Sequence, residues 1–430
     1  MWLKKTLHTL LRKSERYVKT DMVYLAHGGF WLTLWQASTT LSSFIISIMF
    51  ANFLPKEVFG TYKFILSLGS IAGSLSLSGI GNAVTQAVAK GYERTLTAAF
   101  RINLKWGILI TLASWGMSAY YFFWDNYVIS TALFGIGIIL PLYNSFILYG
   151  AFLNGKKEFK KNTLYGLALN FIPLVIIVGA FFVTSNPAVL AITSLSSGLF
   201  VAMFFYFRVT RTYNLGEGVS AEAISHGKKT SFMSILAVLA TQIENILIFH
   251  YLGAASLAIY TLSLAFPQQI WNLFRSISTL ALPKLTENKN LTKQSVRKKI
   301  LTLSMLAAVI TLCYILAAPL LFKIFFPQYP ESVFPSQIVS LSILGVASIF
   351  PLTLLQATLK TKKVNTHILI SSVFHIGMAI VLIPLWGMWG AMISFTTTKL
   401  LSLILSIFLT WNIGAEEKTL PSNKTKDIEF

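Results

Sequence analysis

The stretch "NFLPKEVFGTYKFILSL", residues 52–68, decides how the rest of the chain is read. It interrupts a strongly apolar part of the sequence with Pro55, the Lys56 and Glu57 pair, Gly60 and Tyr62, then turns apolar again. A second stretch, "FHYLGAASLAIYTLSLA" at 249–265, keeps leucine, a small residue and tyrosine in the same register. Proline and glycine punctuate helices. Each stretch therefore predicts a tight turn between two antiparallel helices, with Pro55, Gly60 and Gly253 where special backbone angles are needed.

Composition says what those helices cross. Of 430 residues, 55% are hydrophobic and only 12% are charged, a balance foreign to soluble domains. Apolar segments of about 20 residues match a hydrocarbon core about 30 Å thick. Twelve are read, at 28–52, 60–82, 103–124, 128–152, 163–184, 187–207, 231–252, 257–282, 300–322, 336–359, 365–385 and 389–411. They are too long for barrel strands and lack period-two alternation, so the fold class is all-α, integral to a membrane.

Lysine and arginine set the orientation. With the N-terminus inside, the inner segments hold 30 of the 35 basic residues, whereas Lys56, Lys63 and Lys323 face the other side. Topology and anionic lipid thus account for the net charge of +20, and no nucleic acid is implied. Both termini are expected in the cytoplasm. Residues 1–27 have Trp2, Leu3, Leu7, Leu10 and Leu11 near one helical face, and read either as an amphipathic segment on anionic lipid or as a solvated basic tail. The single cysteine, Cys313, and scattered histidines predict neither a disulfide nor a metal cluster.

Repeats divide the chain. An offset of 198 lays Leu54 on Leu252, Pro55 on Gly253, Gly60 on Ala258, Tyr62 on Tyr260 and Leu66 on Leu264, and an offset of 203 lays "KKNT" at 160–163 on "KVNT" at 363–366. Two parallel six-helix bundles are expected, 28–207 and 231–411, joined by the polar linker 208–230 and followed by a cytoplasmic tail, 412–430. The glycines and serines of "LGSIAGSLSLSGIG", 68–81, suit close helix packing, and the serines suit a polar cavity as well.

Ionisable groups deep in a span are costly, about 2.5–3.5 kcal/mol each, and so point to function. Glu244, Arg275 and Lys399 stand out. Arg275 and Lys399 are candidates for fixed cations in a wet cavity, arginine being able to hold an anion's oxygens bidentately. Alternatively Glu244 pairs with Arg275 to lower the insertion cost, and Lys399 snorkels or meets a carbonyl. Pro267 predicts a break or hinge in the eighth span, with Gln268 and Asn272 polar beside it. Pro141, Pro173, Pro351 and Pro384 are further candidate kinks, and His375 is a candidate proton carrier or a packing residue. Trp386 and Trp389 belong to the interfacial belt or stack on cargo at the outer mouth.

The first hairpin "ANFLPKEVFGTYKFILSLGS", the opening of the second half "ATQIENILIFHYLGAASLAIYTLSLA", the basic hairpin "LNGKKEFKKN" and "IPLWGMWGAMIS" together resemble the polysaccharide or O-antigen flippases. These lie in the superfamily that includes the multidrug and toxin extrusion antiporters. The resemblance implies two six-helix lobes around a V-shaped cavity in the bacterial cytoplasmic membrane. It implies a carrier, not an enzyme, that moves undecaprenyl-diphosphate-linked oligosaccharide by alternating access. A polysaccharide polymerase and a chain-length regulator are the implied partners. It calls for no cofactor, and leaves a proton or a sodium ion open as coupling ion, with Glu244 standing where family members often carry aspartate. A cation-coupled multidrug antiporter is the rival reading, but it favours acidic cavity residues, whereas this chain offers one acid against two bases.

Overall fold

The computed structural model describes residues 22–213, 215–216, 218–275, 293–358 and 360–410. Most of the N-terminal segment 1–27, the tail 412–430 and the inner end of the eighth expected span lie outside the described residues. Within them the chain is helical, with no strand.

The first half is built from α1 (Met22–Phe53), α2 (Lys56–Ser74), α3 (Ile80–Ala89), α4 (Thr95–Phe123), α5 (Tyr127–Phe146), α6 (Tyr149–Gly155), α7 (Phe159–Phe181) and α8 (Pro187–Thr212). The second half contains α9 (Ala221–Leu252), α10 (Ala254–Ser263), α11 (265–275), α12 (Lys293–Phe325), α13 (Val333–Ser340), α14 (Ile349–Ala357), α15 (Thr361–Trp386) and α16 (Met388–Thr410). Side chains cap several starts: Asn126 accepts from the Ile129 amide at 3.2 Å, Asn186 from Ala188 at 2.9 Å ahead of Pro187, and Ser220 from Ala223 at 3.3 Å.

Ten described helical stretches are long and apolar enough to cross a membrane. The count of twelve unbroken spans is corrected at the second and eighth, where each expected span is split in two. The second breaks at 75–79, within the serine and glycine run. A break at depth survives only where its amides find partners. Here the Leu77 amide donates to Asn103 Oδ1 at 3.3 Å and the Gly79 amide to Ser231 Oγ at 3.0 Å. The eighth breaks at Leu264, between α10 and α11. The cause is Pro267, whose ring clashes with the carbonyl four residues back, that of Ser263.

Gly60 is a second correction. It lies inside α2, not in the turn, which falls to Pro55 at the helix start and, in the second half, to Gly253 with φ 85°. What Gly60 supplies is close approach: a Cβ there would sit 1.8 Å from the Ala254 carbonyl oxygen. The two stretches that match in sequence therefore touch in space, α2 packing on α9 and α10. Phe64 stacks on Phe249, centroids 3.8 Å apart and planes 9° from parallel, and Tyr62 and Tyr260 are both buried. One apolar core runs through this seam, joining Phe50, Phe59, Phe64 and Ile65 to Ile248, Leu257, Phe322 and Phe326.

More contacts join the halves at the end of the bundle that carries Lys56. Its ammonium pairs with Glu331 and lies 5.0 Å from the Tyr329 ring centroid. Asn52 donates to the Phe325 carbonyl at 2.9 Å and accepts from Gln328 Nε2 at 3.1 Å. Burial, with Glu331 and Glu57 nearby, pushes the Tyr329 phenol up from its ordinary value.

Candidate functional site

Four helices present one face each to a common cavity of about 460 Å³. On α11 the face is Gln268, Trp271, Asn272 and Arg275, spaced i, i+3, i+4 and i+7, as a single helical stripe requires. α15 contributes His367, Ser371, Ser372 and His375; α16 contributes Phe395, Thr398, Lys399 and Ser402; α9 contributes Ala237, Ala240 and Thr241. The wall closes with residues from Ser348 to Gln356. The stretch Leu341–Ser348 that leads into this wall is a 3₁₀ helix, an unusually long one. Gly345 lets it lie against α16, since a Cβ there would be 2.6 Å from the Lys399 carbonyl oxygen.

The structure therefore brings Gln268, Asn272, Arg275, His375 and Lys399 together around one cavity, although they are spread over 132 positions of sequence. Pro267, also a sequence candidate, is buried beside the break that aims α11. Every described lining residue comes from the second half. The sequence expectation is a cleft between the two halves; the described lining of this cavity lies in one of them.

Glu244 is buried behind the wall. The sequence left it between a pair with Arg275 and a cavity position. In the structure its Oε1 meets His375 Nε2 at 2.7 Å, and its Oε2 accepts from the Tyr260 hydroxyl. Both carboxylate oxygens are thus held by side chains, which is how a buried acid avoids an uncompensated charge. His375 is two-sided, lining the cavity while it contacts Glu244. Next to Glu244, Asn245 donates to Gln242 at 3.2 Å and, across the seam, to Ser67 Oγ on α2 at 2.9 Å. His367 lies 3.2 Å from the Ser402 carbonyl oxygen through its Nε2.

Among the described residues, Lys399 makes its contacts with aromatic rings and bonds no carbonyl. Its ammonium lies 5.0 Å from the Trp271 ring centroid and 5.2 Å from that of Phe395, between two aromatic faces. Among the described residues, two polar atoms of the cavity lining, Trp271 Nε1 and Ser371 Oγ, are buried without a hydrogen-bond partner. An unmet buried donor costs about 1–3 kcal/mol, so both are disposed to accept a polar guest. The described residues hold no cluster of three or more potential metal ligands.

Sequence reasoning missed Trp271, His367, Phe395 and Tyr260 as site residues. The signal for Trp271 was present, since it falls at i+3 from Gln268 on the stripe that ends at Arg275. Tyr260 was noticed only as a repeat match, because nothing local to it predicts Glu244 as partner. Trp386 and Trp389 are exposed and do not line this cavity.

This all-helical membrane architecture is shared with solved transporters. An inward-facing multidrug resistance MATE family transporter of the MOP superfamily matches it with TM-score 0.67 at 14% identity, covering 89% of this chain and 96% of that one. An outward-facing MATE transporter matches with TM-score 0.62 at 13% identity, over 92% and 97%. A MOP superfamily transporter from Pyrococcus furiosus Vc1, described as having a binding pocket of reverse polarity that suggests a different function, matches with TM-score 0.62 at 12% identity, over 92% and 96%. At such identities the likeness establishes the fold. The family follows from a family model described as polysaccharide biosynthesis protein, which matches residues 49–326, well over half of the chain. The chain belongs to that family. No curated protein matches it.

Proposed function

We propose that this protein is a flippase that carries undecaprenyl-diphosphate-linked oligosaccharide from the inner to the outer leaflet of the bacterial cytoplasmic membrane, with both termini in the cytoplasm. The observation that carries this reading is the pairing of Arg275 and Lys399 in one polar cavity, while the nearby acid, Glu244, is held by His375 and Tyr260. An anionic head group cannot enter hydrocarbon bare. Fixed cations in a cavity lined by hydroxyls and amides lower that barrier, and the polyprenyl tail stays in the bilayer.

On this reading the Lys56 end is the outer one. The Lys56–Glu331 pair and the Asn52 contacts join the halves there, and must part if access alternates. Glu244 and His375 are the groups at which a coupling proton would be exchanged, because His375 touches both the cavity and the buried acid. The rival reading, export of cationic drugs, calls for a cavity of acidic character. The Pyrococcus furiosus protein, whose pocket of reverse polarity suggests a different function, supports the view that this fold serves more than one function.

Deletion of the gene tests the proposal. Lipid-linked oligosaccharide is expected to accumulate on the inner leaflet and surface glycan to disappear, with recovery on re-expression. Unchanged glycan together with raised drug sensitivity would contradict it.

A further inference from the structure

Resting on the flippase reading, we propose that Trp271 is the sugar-contacting residue of the cavity, and that Lys399 covers its face until a diphosphate draws the ammonium away.

The geometry has three parts. The Lys399 ammonium sits between the rings of Trp271 and Phe395, at 5.0 and 5.2 Å from their centroids. Arg275 lines the same cavity one turn along α11 from Trp271. Trp271 Nε1 is buried with no acceptor, although Gln268 and Asn272 flank it on the same helical face.

An aromatic face carries negative charge and attracts a cation when nothing better is offered. A diphosphate is better, because it forms full charge-assisted hydrogen bonds with an ammonium. The C–H face of a pyranose also carries partial positive charge and stacks on the same ring face. Cation and sugar therefore compete for one surface. Once Lys399 leaves for the phosphates, the indole is open to the first sugar, and its N–H gains a hydroxyl acceptor. Trp271 thus makes the cavity respond to a sugar joined to diphosphate more than to either part alone. That is the selectivity a carrier needs if it is to pass the loaded lipid and refuse the bare polyprenyl diphosphate.

The test is calorimetric titration of the full chain in nanodiscs with farnesyl diphosphate and with farnesyl-diphosphoglucose. The unmodified protein is expected to bind the sugar-bearing ligand about fivefold more tightly, the size of one aromatic stacking contact. Trp271→Leu should abolish that difference while farnesyl diphosphate still binds, since Lys399 is then held over the Phe395 ring alone. Trp271→Phe keeps an aromatic face and should retain part of the difference, which separates lost stacking from misfolding. Farnesyl diphosphate should also change the indole emission of the unmodified protein and leave that of Trp271→Phe much less affected. A sugar preference that persists in Trp271→Leu overturns the assignment of Trp271 alone. Failure of the unmodified protein to bind either ligand overturns the flippase reading, and this inference with it.

Discussion

Under the offset that lays Tyr62 on Tyr260, the two tyrosines share their burial and differ in what they meet. Tyr62 meets the Ser194 hydroxyl, whereas Tyr260 donates to Glu244. The contrast extends along both halves. With the 198-residue offset Glu244 falls opposite Ile46 and Arg275 opposite Leu77; with the 203-residue offset His375 falls opposite Ile172 and Lys399 opposite Ser196. The turn and the buried tyrosine are common to both, whereas Glu244, Arg275, His375 and Lys399 fall opposite uncharged residues of the first half. Scaffold and chemistry are thus separable. In the second half Glu244 is held by His375 and Tyr260, and Lys399 lies over the rings of Trp271 and Phe395.

Several substitutions sharpen or break this contrast. The largest effect is expected from replacing both cavity cations. Arg275→Gln with Lys399→Gln should cut surface glycan at least a hundredfold at equal expression, at about tenfold per lost charged hydrogen bond. Ser196→Ala, opposite Lys399, should leave glycan unchanged, and a loss as large as the double variant's would show that the first half shares the load.

Next in size is the buried pair. Removing His375 as His375→Leu leaves Glu244 Oε1 without its buried partner while Tyr260 still holds Oε2, at a cost of about 1–3 kcal/mol. The melting temperature should fall by several degrees, whereas Ile172→Val opposite it should shift melting by little. Gly60→Ala follows, since its methyl group would collide with the Ala254 carbonyl and force α2 from α10, an overpacking cost of about 1–3 kcal/mol. The counterpart Ala258→Gly should be milder, and equal losses would mean that the seam is symmetric after all. The smallest effect belongs to Lys56→Gln. Its pair with Glu331 is partly exposed, and such pairs contribute about 0–1 kcal/mol. Melting should barely move even if the balance between inward and outward access does.

These residues also mark how far the sequence could be read. The all-helical membrane fold was legible because composition and segment length leave no other way to satisfy the backbone in lipid. Both spans that the structure breaks carried a warning. Pro267 was recognised as one; the serine and glycine run before Gly79 was read mainly as packing, because the amides it frees are satisfied by Asn103 and Ser231, far away in sequence. Arg275, Lys399, Gln268 and Asn272 were legible singly, since a charge or amide in an apolar run is conspicuous. That His375 belongs with Glu244, 131 positions earlier, was not, because pairing across helices depends on tertiary geometry. The aromatic cover over Lys399 was hidden for the same reason.

The central claim is that the basic cavity of the second half carries the diphosphate head. The most direct measurement is transbilayer movement of a fluorescent polyprenyl-diphosphate sugar in proteoliposomes, comparing the unmodified protein with Arg275→Gln and Lys399→Gln. Rapid movement that slows about tenfold in each variant, with folding intact, is the result predicted. Equal rates in all three proteins would contradict the claim.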